Sequence, residues 1–230
     1  YVGNKKLDSP LGCTGSKWDW QYAGKISIKQ LKTTLRLRDL TGFNGRCDAI
    51  YFAKDKSKLP PSNDENSADF RRDKLNLSHD PLPAGKFDIV VVGGGIAGMC
   101  AAASASRLGC KVALINDRPV IGGNNSSEIR VHLGGRIEIG PYKELGNLIK
   151  EFGPVKGGNA KPAHYYEDKK KMDWLLKEKN VTLFTNYHVN AVKIDGNRIE
   201  EVIAQHIETG ERLSFKAPLF SDCTGDGSLG

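Results

Sequence analysis

Three observations place this chain in the α/β class. An apolar run, Ile89 to Val92, meets three consecutive glycines, Gly93 to Gly95, and a small-residue helical pattern follows. A second apolar run, KVALI, comes directly after Gly109. Further on, three alternating runs separated by tight turns read as an antiparallel meander. Together they predict a parallel sheet layered with helices and joined to a β-meander. A partial all-β, sandwich-like segment is expected before it.

The elements follow in order. In LKTTLRLRDL, Thr33, Leu35 and Leu37 alternate with Thr34, Arg36 and Arg38, the period of two of a half-buried strand. GKISI and RCDAIYF flank it as further strands, and Asp39 and the Gly42-to-Gly45 loop supply turns. Residues 1–53 are therefore expected to end a sandwich-like domain. Residues 54–86 are polar, proline-rich and aperiodic, and read as a linker or surface wrap. The main domain is expected over 87–230. Its DIVVV run suits a strand buried on both faces. GIAGMCAAASASRLG is a helix stopped by Gly109, and KVALI is the next strand. PYKELGNLIKEFG predicts a helix started by Pro141, stopped by Gly153, with Leu145, Leu148, Ile149 and Phe152 on one face. EDKKKMDWLLKEKN predicts another, with Met172, Leu175 and Leu176 inward. VTLF is a strand. HVNAVKI, RIEEVIAQHI and ERLSFKA form the meander, turning at Asp195-Gly196-Asn197 and Thr209-Gly210. LFSDC then runs into Thr224-Gly225-Asp226-Gly227.

Composition narrows the function. The 230 residues are 39% hydrophobic and carry a formal net charge of +7. The lysines are scattered, with no basic stripe interleaved with aromatics, so nucleic acid is not the expected partner. Lys169-Lys170-Lys171 reads as a solvated helix face. No apolar run approaches the roughly 20 residues that span a bilayer. The chain lacks an initiator Met and stops where a new element begins, which suggests a piece of a longer protein. The five cysteines contain no C-x-x-C, which removes zinc, iron–sulfur and thioredoxin-type chemistry. Cys100 and Cys110 read as core, and Cys13 and Cys47 would pair in an exported protein. A periplasmic or secreted location is favoured over the cytoplasm.

The glycines carry the most specific signal. Gly93, Gly95 and Gly98 form G-x-G-x-x-G between a strand and a helix in a Rossmann-like strand–helix–strand unit. The first permits a tight turn, the second lets a pyrophosphate approach the backbone, and the third lets helix and strand pack closely. Gly94, Ile96 and Ala97 complete a turn whose N–H groups and helix dipole face the phosphates. The ribose hydroxyls need an acceptor after the second strand. Asn116 holds that place with Asp117 beside it, Asn116 being expected nearer the ribose; Arg118 is the one nearby cation.

At DRPVIGGNNSSEIRVH the chain resembles FAD-dependent oxidoreductases with a glutathione-reductase/fumarate-reductase type of FAD domain. More narrowly, it is similar to a bacterial FAD-dependent oxidoreductase family distantly related to heterodisulfide reductase. The resemblance covers about residues 87–230 and rests on GGGIAG, that segment, the meander and LFSDCTGDG. It implies FAD as cofactor, with the first glycine motif on the pyrophosphate. It implies that Gly122, Gly123, Asn124, Ser126 and Ser127 run along the pyrophosphate towards the flavin. It further implies that Val189 meets the adenine and that Thr224, Gly225 and Asp226 close over the ribityl–phosphate region. Asn116 departs from the commoner carboxylate.

Catalytic candidates sit in EIRVHL. If that stretch is extended, Glu128, Arg130 and His132 share one face. His132 would then be a proton acceptor and Arg130 a clamp for an anionic substrate during hydride transfer. The alternative is an ordinary solvated strand face, or a helix start capped by Asn125. The substrate class is a sugar derivative or an organic acid, with a separate electron acceptor. A second function class remains: a carbohydrate-binding module fused to a non-catalytic nucleotide-binding domain, with Trp18, Trp20 and Tyr22 as a stacking platform. Core aromatics are the alternative for those three. There is no Ser/His/Asp or metal-ligand constellation.

Overall fold

The computed structural model describes residues 1–7, 9–40, 42, 45–55, 58–62, 66–135 and 138–229. The chain divides into two compact units, Tyr1–Asn76 and Leu77–Gly230.

In the first unit the described residues form one helix, α1 (Asn66–Leu75), and isolated bridges of Val2 with Lys5 and Leu35. The three strands expected over 21–53 are absent among the described residues; Phe43 and Asn44 of the expected loop lie outside them. Alternation creates a face, but a strand also needs a neighbour for its backbone N–H and C=O groups. Residues 31–40 instead stand exposed, Leu37 and Leu40 included. What packs is aromatic. Tyr51 meets Trp20 and Phe70 edge-on, at 6.4 and 5.3 Å between ring centroids, and the Trp20 indole N–H donates to the Pro61 carbonyl at 3.0 Å. Trp18 and Tyr22 are exposed, so neither is a core aromatic. Cys13 and Cys47 are free, exposed thiols.

The second unit begins earlier than expected. The supposed linker contributes α1 to the first unit and β1 (Leu82–Lys86) to the second. Pro83 and Gly85 interrupt the strand pattern of β1, which pairs parallel with β7 (Arg212–Lys216) across an irregularity at those two residues. Two four-stranded sheets result. One is wholly parallel, in the order β4 (Val181–Thr185), β3 (Val112–Asn116), β2 (Ile89–Val92), β8 (Leu219–Asp222). The other runs β1, β7, β6 (Arg198–His206), β5 (Tyr187–Asp195), with an antiparallel β5–β6–β7 meander.

Period-two geometry divides the parallel sheet between two cores. Val91, Val112 and Leu114 face Met99, Ala102 and Ala103 of α2 (Ile96–Arg107). The same core takes Phe152 of α3 (Asn147–Phe152) and Trp174 and Leu175 of α4 (Asp168–Leu175). Val90, Val92, Ala113 and Ile115 face the meander's Val202, Ala204 and Phe215. Each fully buried Val or Leu contributes roughly 1.5–3 kcal/mol. Gly109, at φ +93, ends α2 as its position predicts. Helix α3 starts six residues later than Pro141 suggests, because Gly146 adopts φ +91 immediately before it, and Leu145 is exposed. In α4 the inward set also differs: Leu176 is exposed, whereas Trp174 and Lys171 are buried. Among the described residues no helix is long and apolar enough to cross a membrane.

Candidate functional site

The first glycine turn lies at the carboxyl end of the parallel sheet. The Gly93 N–H donates to Ile115 O at 2.8 Å, and Gly93 itself has φ +103. A Cβ on Gly93 would overlap the Cys223 carbonyl, one on Gly98 would overlap the Gly93 carbonyl, and one on Gly94 would lie 2.7 Å from Asn116. The protein itself needs those three glycines. Gly95 differs: it has an ordinary φ of −68°, and a Cβ there would meet nothing nearer than Gly123 Cα at 3.9 Å. Gly95 is the N-cap of α2 and no side chain caps the helix. The first N–H groups of α2 therefore have no intrahelical partner, which suits an anion.

Asn116, the side chain expected nearer the ribose, is bonded to the first glycine turn and to the loop after β3. Its side chain is buried, Oδ1 accepts from the Gly94 N–H at 3.1 Å, and Nδ2 donates to Arg118 O and Val120 O at 2.8 and 3.0 Å. It braces the glycine turn. Asp117 is exposed, with its carboxylate 3.9 Å from His188 Nδ1. Arg118 is turned to Glu128, at 3.3 Å.

The second glycine turn abuts the first. Gly122 N–H donates to Gly94 O at 2.8 Å, and Gly95 and Gly122 form a parallel bridge. Gly122 and Gly123 both have positive φ, and a short 3₁₀ turn, Gly123–Asn125, follows. Asn124 is exposed and its carbonyl accepts from Val131 N at 2.9 Å. Ser127 N–H donates to both oxygens of Asp168 at 3.1 Å. Between them Ser126 is fully buried, and its hydroxyl has no partner. An unpaired buried hydroxyl costs about 1–3 kcal/mol, so a ligand oxygen there would stabilise the folded state.

The last glycine segment closes the same corner. Cys223 N–H donates to Val92 O at 2.7 Å, while its carbonyl lies over Gly93. Thr224 is fixed by Asp222, whose Oδ1 accepts from its N–H at 2.9 Å and its hydroxyl at 2.7 Å. Gly225 turns the chain at φ +85, and Asp226 is exposed. Val189 sits in β5 opposite Ala204, beside the His188 that faces Asp117. The structure thus brings Gly122 against Gly94 and Gly95, and the chain at Cys223 and Thr224 against Gly93.

The catalytic candidates do not form a strand face. Arg130 has φ +65, which breaks the alternation of Glu128, Arg130 and His132. The Arg130 Nε donates to Ser127 O at 2.8 Å. Asn159 Oδ1 accepts from both the backbone N–H of His132, at 2.9 Å, and the ring Nδ1, at 2.8 Å. A carbonyl oxygen only accepts, so this contact puts a hydrogen on Nδ1 and orients the ring.

Sequence reasoning missed Lys171, Asp168 and Tyr166. Lys171 is completely buried, and its Nζ donates to the Asn125 carbonyl, to Asn125 Oδ1 at 3.1 Å and to the Tyr166 carbonyl. Burial pulls the Lys171 ammonium down, against the opposing charges of Asp168 and Glu167. The signal was present: residues three and four before Trp174 and Leu175 share their inward face.

A parallel sheet with two abutting glycine turns, an uncapped helix start and an orphaned serine defines a dinucleotide-binding α/β protein. Over residues 88–230 the sequence matches the family described as FAD dependent oxidoreductase, and the chain belongs to that family. Its cofactor is FAD. The structure is similar to that of the 3-ketosteroid-Δ4-(5α)-dehydrogenase from Rhodococcus jostii RHA1 (16% identity, 60% of this chain and 46% of that one, TM-score 0.44). It is also similar to THI4 of Thermovibrio ammonificans (20% identity, 60% and 57%, TM-score 0.42). The chain spans about half the length of these two proteins.

Proposed function

We propose that this chain provides the FAD site of an oxidoreductase that exchanges a hydride with a small organic substrate, a sugar derivative or an organic acid. A separate partner accepts the electrons. The observation that carries the reading is Gly95. The protein's own packing does not require a glycine there, yet its missing Cβ leaves the backbone open beside the uncapped start of α2. A pyrophosphate supplies the reason. The residues fit: Gly95 and the N-terminal amides of α2 hold the phosphates, Ser126 donates its hydroxyl, and Thr224-Gly225 covers the adjoining segment. Asp117, and not Asn116, accepts from the ribose, since the Asn116 amide already braces the turn. Val189 lies beside the adenine.

FAD, when bound, would supply the acceptor or donor of a hydride. His132 Nε2 takes the proton of the substrate hydroxyl, and Asn159 holds the ring in place through Nδ1. Arg130 holds an anionic group. The experiment is anaerobic: the yellow protein is mixed with a panel of sugars and carboxylates, and bleaching of the flavin band is followed. Reduction by one class, lost in His132→Ala but retained with dithionite, is expected. A colourless protein that gains no FAD on incubation overturns the reading.

A further inference from the structure

Among the described residues of the second unit Lys171 is the most deeply buried charge, and neither the resemblance nor the site chemistry assigns it a role. Its ammonium has three donors, and all three are spent on Asn125 O, Asn125 Oδ1 and Tyr166 O. Its stem lies under Gly122: a Cβ on that glycine would come within 3.0 Å of Lys171 Cε. Three residues earlier on the same helix, Asp168 receives the Ser127 N–H and stands 3.4 Å from the Lys171 ammonium. Tyr166 adds a third tie, since its hydroxyl donates to the Arg130 carbonyl at 2.6 Å and accepts from Lys161 N at 3.1 Å. One ion pair thus grips the chain on either side of Ser126, whose buried hydroxyl is without a partner.

We propose that Lys171 and Asp168 form a clamp on Asn125–Ser127 that sets the second glycine turn and the Ser126 hydroxyl in register for the phosphates of FAD. Lys171 is a positioning residue: it acts through Asn125 and Gly122. The proposal rests on the FAD reading above. The physical reason is preorganisation. A turn with two positive-φ glycines and no strand ladder is entropically loose, and a ligand that must order it binds more weakly. A buried ammonium accepts no substitute for its carbonyls, so it fixes the turn before the ligand arrives.

The test compares wild type, Lys171→Met and Asp168→Ala in three measurements: FAD titration of the apoprotein, its thermal midpoint, and hydrogen exchange over Gly123–Arg130. Titrations are made well below each midpoint. Lys171→Met is expected to weaken FAD about tenfold or more and Asp168→Ala several-fold. Exchange should quicken over Gly123–Arg130 while β2 and β3 stay protected. A folded Lys171→Met that binds FAD like wild type, or that speeds exchange uniformly, overturns the clamp. If Lys171→Met does not fold, Asp168→Ala decides by the same criteria. A wild-type protein that takes no FAD overturns the cofactor reading itself, a result distinct from either.

Discussion

The two glycine turns meet at one corner but are held in different ways. The first, Gly93–Gly98, is closed by backbone: the Cys223 carbonyl stands over Gly93 and the Gly93 carbonyl over Gly98. In the second, a Cβ on Gly122 would meet the Asn125 carbonyl at 2.7 Å and one on Gly123 the Gly95 Cα at 3.0 Å, and that Asn125 carbonyl is itself held by the buried Lys171 of a helix distant in sequence. Both turns are packed on backbone and specified by their own glycines, but the second depends in addition on a remote residue whose type carries information. The first should therefore break at its glycines, and the second at its support as well.

The largest effect is expected at Gly98. Alanine there drives a methyl into the Gly93 carbonyl, and Gly93 cannot yield because its N–H is tied to Ile115. Gly98→Ala should cost more than about 3 kcal/mol and abolish FAD binding. A thermal melt by circular dichroism, with the flavin content of the purified protein, checks both. Gly95→Ala comes next and sharpens the contrast. The apoprotein should melt within about 2 °C of wild type, since the new methyl meets nothing close and φ is ordinary. FAD affinity should nevertheless fall by about 100-fold or more, from loss of close phosphate approach. Equal losses of stability at Gly95 and Gly98 would remove the distinction between packing glycines and a ligand glycine.

The third prediction concerns the brace of the first turn. Asn116→Asp restores the carboxylate usual at the end of a second strand, yet here it should destabilise the protein by about 1–3 kcal/mol. The buried amide now donates to Arg118 O and Val120 O, and a carboxylate would turn oxygen lone pairs on both. Denaturant titration at neutral pH reads the change. A neutral or stabilising result would mean that the side chain is free to serve the ribose.

Much of this architecture is legible in the sequence because it follows from local rules. DIVVV and KVALI are apolar on both faces and form β2 and β3, and each glycine of the first turn except Gly95 answers to a contact within the protein. The meander turns where Asp195-Gly196-Asn197 and Thr209-Gly210 allow. The parts that alternation and composition misplace depend on partners elsewhere. LKTTLRLRDL alternates correctly, but the described residues offer it one bridge, at Leu35, and no ladder. Pro83 and Gly85 disguise β1, which exists because β7 accepts it. In EIRVHL the positive φ of Arg130 undoes the face that alternation draws. Lys171 looks solvated beside its lysine neighbours, although helical spacing places it on the inward face with Trp174 and Leu175.

The smallest effect tests how far the second turn's support extends. Helix α4 is tied to α2 and α3 by a surface group. Arg107 donates to Glu151 at 2.9 and 2.7 Å, and the Trp174 indole N–H donates to the same carboxylate at 2.7 Å. The Arg107 hydrogen bonds, then that of Trp174, hold Glu151 down to about 2 from an ordinary 4.5. A carboxyl depressed in the folded state stabilises it above the unfolded pKa. That contribution is lost as pH falls from about 4.5 towards about 2. The group is substantially exposed, so solvent screening leaves it below about 1 kcal/mol. Glu151→Gln should therefore lower the midpoint at neutral pH by no more than about 3 °C and flatten the acid limb of the stability curve below about pH 4.5. If the second turn depends on α4 as a whole, FAD binding should weaken slightly in parallel. If it depends only on the Lys171–Asp168 clamp, FAD affinity should stay at the wild-type value while the acid limb changes.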